Sequence, residues 1–147
     1  MAVAQPAFRS LFLTSMQQVT NYRDLETWQI GMDLVERCYT ITASFPAEER
    51  YGLTAQIRRA AVSVPSNVAE GCCRKSTKAF ANHVSIALGS HAELETCLEL
   101  ALRLAFIDRR QLSVVAEQLA SAGRLLNGLH RSLKAKLARR QVEKKSR

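Results

Sequence analysis

The sequence predicts an all-α protein, an up-and-down antiparallel four-helix bundle with a Pro-kinked second helix. Three observations carry that expectation. From Tyr22 onward apolar residues recur at alternating spacings of three and four. Alternating β-branched runs are few, and helix-breaking punctuation falls at only a few points. The chain has 147 residues, 47% apolar and 23% charged, with six Gly and three Pro, which suits one folded domain and excludes a disordered or collagen-like chain. No apolar run approaches the roughly 20 residues of a membrane span, so no membrane association is expected.

Taken in order, residues 1–21 show no sustained period and are expected to form a loosely ordered extension, with Met1 and Met16 both open as the start. The bundle is expected over 22–137 and a basic tail over 138–147. The first helix begins near Asn21 or Asp24 and stops before Pro46. Its seam reads Leu25, Trp28, Met32, Val35 and Tyr39, with a second apolar row at Ile30, Leu34, Cys38 and Ile41. That is more apolar surface than one bundle face requires, and it suggests a partner subunit.

Pro46, Glu48 and Glu49 read as a single helical turn. The second helix follows Gly52, with Ile57, Ala60, Ala61, Val64, Val68 and Ala69 facing inward until Gly71. Pro65 removes a hydrogen bond and crowds the Ala61 carbonyl, which predicts a kink with Ser63 or Ser66 helping to satisfy freed groups. Two shorter helices with Ser63 as a cap are the alternative.

Ser76 caps a third helix running to about Ala105, with Phe80, Val84, Ala87, His91, Leu94, Leu98, Ala101 and Ala105 on its seam. Asp108 and Gln111 form a capping-box pattern for the last helix. Its seam is Leu112, Val115, Leu119, Ala122, Leu126, Leu129, Leu133 and Leu137, so the first basic residues of the tail belong to the helix and the last eight to ten lie beyond it.

The formal charge of +8 is unevenly placed. Residues 22–130 are neutral, whereas 131–147 carry +7 through Arg131, Lys134, Lys136, Arg139, Arg140, Lys144, Lys145 and Arg147 against Glu143. A dense basic arm on a neutral body points to a polyanion, or serves only solubility. A smaller patch, Arg58, Arg59, Arg74, Lys75 and Lys78 with Glu70 as its only acid, gives residues 56–78 a local +4. Ser63, Asn67 and Glu70 share a helical face, which is either a buried, hydrogen-bonded register device or a solvated face near the kink.

Signatures of catalysis are missing. The residues three before His83, His91 and His130 are Phe80, Leu88 and Asn127, so the Glu-x-x-His pairs of a di-metal bundle cannot form. There is no phosphate loop, H-E-x-x-H or G-x-S-x-G, and no Cys or Ser beside the histidines forms a persuasive nucleophile arrangement. The expectation is no enzyme, no metal and no cofactor. His91, on the seam with Glu95 one turn on, reads as a core histidine satisfied by a nearby hydroxyl or carboxylate. Cys38, Cys72, Cys73 and Cys97 contain no C-x-x-C pair, and no signal peptide precedes them, which suggests a reducing cytoplasm.

Particular stretches also carry a family likeness. The run 22–28 (YRDLETW), Phe45-Pro46 with Glu49 and Tyr51-Gly52-Leu53, the run 56–71 (QIRRAAVSVPSNVAEG), and Ala87-Leu88-Gly89-Ser90 with Glu93-Leu94-Glu95-Thr96 resemble bacterial four-helix-bundle proteins encoded in 23S ribosomal RNA intervening sequences. The likeness spans about 22–137. Cys72-Cys73 departs from it, since the family usually has an aromatic and a small residue there.

The resemblance implies a five-membered, ring-like homo-oligomer. It also implies kinship with accessory proteins of diversity-generating retroelements, which bind a reverse transcriptase and nucleic acid. Candidate nucleic-acid contacts are therefore Arg58, Arg59, Arg74, Lys75, Lys78, Arg131, Lys134, Lys136, Arg139 and Arg140. Ser63, Asn67, Glu70, Ser90 and Glu93 are the candidate structural polar network. The expected function is RNA or DNA backbone binding by an oligomeric bundle, with a homopentamer and a reverse-transcriptase-like protein as candidate partners. The competing reading is a protein–protein assembly scaffold.

Overall fold

A computed structural model describes residues 21–146. Except for residue 21, the expected N-terminal extension lies outside the described residues. Among the described residues four α-helices make the fold: α1 (Glu26–Thr42), α2 (Leu53–Cys73), α3 (Thr77–Arg103) and α4 (Arg109–Lys145). Single 3-10 turns at Tyr22–Asp24 and Ala47–Glu49 precede α1 and α2.

The caps follow from side-chain chemistry. Asn21 Oδ1 accepts from the Arg23 amide at 3.0 Å, which starts the first turn. Glu49 Oε2 accepts from the Leu53 amide at 2.8 Å and satisfies a donor that Gly52, at the N-cap of α2, cannot. Ser76 Oγ accepts from Ala79 at 3.2 Å, and Asp108 and Gln111 form the reciprocal capping box at 2.8 and 3.0 Å.

α3 ends at Arg103, slightly before the expected stop. The Phe106 amide bonds the Ala101 carbonyl and the Ala105 amide bonds the Leu102 carbonyl, with Ala105 at φ 59°. This is a Schellman closure with alanine at the position that favours glycine.

Antiparallel order is visible where the helices meet. Between α1 and α2, Gly31 meets Pro65 and Thr42 meets Arg58. Between α2 and α3, Gln56 meets Glu93, Ser63 meets Ser90 and Asn67 meets His83. Between α3 and α4, His91 meets Leu119 and Thr77 meets Arg140. α4 also packs on α1 and closes the bundle.

The core lies in two clusters end to end. One gathers Leu34, Ile57, Leu94, Leu98, Val115 and their neighbours, and the other Val64, Val68, Val84, Ala87, Leu126 and Leu133. Between them small residues let the helices approach: a Cβ at Gly31 would stand 3.3 Å from Pro65, and one at Gly123 3.0 Å from the His91 ring.

Four expectations need correction. In α1 the second apolar row is the core, with Leu34, Cys38 and Ile41 buried, whereas Met32 and Tyr39 of the expected seam are exposed. Two apolar rows gave the helix two possible phases, and close packing through Gly31 on α2 selected the other one. Pro65 is buried inside one unbroken helix, so the two-helix alternative does not hold. Ser63 bonds across to Ser90, and neither it nor Ser66 bonds the Ala61 carbonyl among the described residues.

Finally, α4 runs through the expected tail to Lys145. Nothing in residues 138–145 breaks a helix, and Lys144 and Lys145 suit the negative end of its dipole. Its 37 residues span roughly 55 Å, and the last turn passes the start of α3.

Candidate nucleic-acid interface

The ten candidate basic residues do not form one surface. Arg58 is in the first turns of α2 and Arg74 is its C-cap, 16 residues on and about 24 Å along its axis. Arg58 is committed to the body of the protein: its Nε donates to Thr42 Oγ1 at 2.9 Å, and its guanidinium lies 4.4 Å from the centre of the Tyr39 ring. Arg59 is exposed and donates to Gln56 Oε1 at 2.7 Å, while Gln56 also reaches Glu93. These two arginines sit at the end of α2 remote from the basic arm.

The other end of the bundle collects the remaining cations. Lys75 occupies the α2–α3 turn at φ 53°, exposed beside Arg74. Arg74 is paired with Glu70 at 2.5 Å, and its hydrogen bond, with His83 nearby, holds the Glu70 carboxyl below the usual carboxylate range. Antiparallel pairing of α3 with α4 then brings the first turn of α3 against the last third of α4. Arg140 Nη1 donates to Thr77 Oγ1 at 3.2 Å. Lys78 and Lys134 line one open groove of about 510 Å³ together with Asn82, Ser85, His130 and Gln141, over Ala81, Leu137 and Ala138. Arg131, Lys136 and Arg139 are exposed on the other faces of α4.

Lys78, Lys134 and Arg140 are thus brought together, Lys75 lies at the same end, and Arg58 and Arg59 lie apart. Asn82, Ser85, His130 and Gln141 escaped the sequence reading. Lys78, Asn82 and Ser85 are spaced four and three apart, so a polar stripe on α3 was there to be seen.

The polar network is a seam between α2 and α3. Ser63 and Ser90 hydroxyls are 2.7 Å apart, Asn67 Nδ2 donates to the Ser63 carbonyl at 2.8 Å and lies 3.1 Å from its hydroxyl, and His83 Nδ1 is 3.1 Å from Asn67 Oδ1. His83 is the member that sequence patterning missed. Glu70 stands 3.9 Å from His83 Nε2, and Glu93 joins separately through Gln56. The seam is half-buried, with Ser90 its most enclosed member.

His91 is buried on the core side of α3. Its Nε2 pairs with the Leu119 carbonyl at 2.6 Å, a backbone partner in place of the expected hydroxyl or carboxylate, with Glu95 3.9 Å from Nδ1. Among the described residues no three His, Cys, Asp or Glu side chains converge on a metal-sized space. No helix among them is long and apolar enough to cross a membrane.

This end-to-end division of charge on a four-helix frame can be set beside known proteins. The family model of the 23S rRNA-intervening sequence protein matches residues 23–128. The chain belongs to this family. The match includes α1, α2 and α3 and about half of α4, and stops before the dense basic stretch of α4. Among solved structures, a protein of unknown function from the S23 ribosomal protein family of Bacteroides thetaiotaomicron aligns with a TM-score of 0.64 at 23% identity. The alignment covers 71% of this chain and 97% of that one, a likeness that establishes the shared fold. No curated protein matches the sequence. Within the 23S rRNA-intervening sequence family frame, the two glycine contacts and the α2–α3 polar seam all fall inside the matched residues, and the groove straddles their boundary.

Proposed function

We propose that the protein is a non-enzymatic, oligomeric bundle that holds RNA or DNA backbone at its basic end. One observation carries the reading: chain residues far apart in sequence, Lys78 on α3 and Lys134 and Arg140 on α4, meet at the end where α4 overhangs with its remaining cations. The only nearby acid of α2, Glu70, is already neutralised by Arg74. Lysines and arginines arranged this way attract phosphates without reading sequence. The family's name, which refers to 23S rRNA, points the same way.

The reading includes self-association into a ring, with a bend of α2 at Pro65 and residence in the cytoplasm. Exposed Met32 on α1 and Ile86 and Leu100 on α3 are apolar side chains available to a subunit contact. Repetition of the basic end around a ring would raise avidity without new contacts. The same apolar residues also favour the second reading, a protein scaffold whose arm serves solubility. RNA binding by the full chain and by a chain ending at Leu137, at two salt concentrations, separates the two. Absence of binding at low salt by both forms would reject the nucleic-acid reading.

A further inference from the structure

The groove between α3 and α4 is chemically unlike the rest of the basic end. Its lining combines two lysines, two primary amides, one hydroxyl and one imidazole over a strip of Ala81, Leu137 and Ala138. The side chains of Lys78, Asn82, Ser85, His130, Lys134 and Gln141 make no hydrogen bond or ion pair among the described residues. At the same end of the bundle Arg74 and Arg140 are each engaged by a neighbour. Six converging polar groups without internal partners, held on two rigid helices, are a surface prepared for an external ligand.

The arrangement specifies the ligand's chemistry. The antiparallel register, marked by His91 on Leu119 and Arg140 on Thr77, sets Lys78 opposite Gln141, Asn82 opposite Lys134, and Ser85 opposite His130. From Lys78 to Ser85 the wall of α3 is about 10 Å long, the span of one to two nucleotides. Lysine ammonium groups serve phosphates as point charges, whereas carboxylate recognition favours the two-pronged guanidinium. Asn and Gln amides can meet a base edge with a donor and an acceptor at once, and an imidazole can stack on a base. The aliphatic strip suits the apolar face of a sugar or base. Bases inside a duplex are paired and stacked, so a groove of this size cannot receive them.

We propose that this groove seats one or two nucleotides of a single strand, with phosphate on Lys78 and Lys134 and the base against Asn82, His130 and Gln141. The proposal rests on the nucleic-acid reading above and adds to it a preference for unpaired strands.

The test measures binding of the full chain to an unstructured 12-nucleotide RNA and to a 12-base-pair RNA duplex by fluorescence anisotropy, at two salt concentrations. The single strand is expected to bind at least 10-fold tighter. The double variant Asn82→Ala/Gln141→Ala, altering two exposed positions, is expected to lose about 5- to 10-fold on the single strand alone, with an unchanged salt slope and circular dichroism spectrum. Lys134→Gln is expected to weaken both RNAs. Equal affinity for the two RNAs, or an unaffected double variant, overturns the groove while leaving backbone binding intact. Displacement of the strand by a poly-glutamate peptide at equal charge concentration overturns it as well. Failure of either RNA to bind overturns the groove and the proposed function together.

Discussion

His91 Nε2 lies 2.6 Å from the carbonyl oxygen of Leu119, and this bond ties α3 to α4 at the level where the two core clusters meet. The imidazole fits because residue 123, one turn further along α4, has no side chain. A titratable group in a core is costly unless satisfied, and here a backbone acceptor on the facing helix satisfies it.

Gly123→Ala is therefore expected to destabilise the fold by about 1–3 kcal/mol, because its Cβ would stand 3.0 Å from Cε1 and Nε2 of a ring that is itself enclosed. Gly89→Ala is the control. Nothing lies within 4 Å of a Cβ at that helical position, so it is expected to stabilise by roughly 0.5–1 kcal/mol. Urea unfolding of both variants checks the pair, and equal effects would refute the close approach.

Ala105→Gly is expected to stabilise by about 1 kcal/mol. Ala105 closes α3 in the left-handed region at φ 59°, where a Cβ is strained and glycine is not. The gain appears as a higher urea midpoint at constant slope, and a lower midpoint would mean that the closure is not as described.

Burial pushes the Cys38 thiol up to about 12, from an ordinary value of 9.0. Below pH 9 the thiol is protonated in both folded and unfolded chains. As pH rises from 9 toward 12 the unfolded thiol ionises and the folded one does not, so the folded state holds more protons and stability falls with pH. The Cys38→Ala variant is expected to lose roughly 1 kcal/mol per pH unit of that decline, read from urea midpoints at several alkaline pH values. At pH 8 a thiol reagent is expected to label exposed Cys73 first and Cys38 only on unfolding.

The sequence made some of this legible and withheld the rest for physical reasons. Caps are local chemistry, so Ser76 and the Asp108/Gln111 pair could be read directly. The seams of α3 and α4 were legible because each has one apolar phase, with Val84, Ala87, Leu94, Val115 and Leu126 buried as their spacing predicts. α1 has two phases, and the choice between Met32 and Leu34 rests on how closely α2 approaches Gly31, a tertiary fact. The basic patch failed differently. Arg58 and Lys78 look contiguous in sequence, but a helix carries them apart, while Lys78 and Lys134 meet only through the α3–α4 register. His83 carried no pattern signal because it lies off the apolar seam of α3; its partner Asn67 was legible, but the pairing was not.

Cations gathered at one end of the bundle are proposed to hold nucleic-acid backbone, and the most direct test is how RNA affinity depends on salt. The full chain is compared with a chain ending at Leu137, which lacks Arg139, Arg140, Lys144, Lys145 and Arg147. The full chain is predicted to bind at low salt, with affinity falling steeply as salt rises. Truncation is predicted to weaken binding and to make the slope shallower by about 0.7 for each phosphate on a single strand that the shortened helix no longer neutralises. Absence of binding by both forms at low salt, or equal and salt-insensitive binding by both, would contradict the claim.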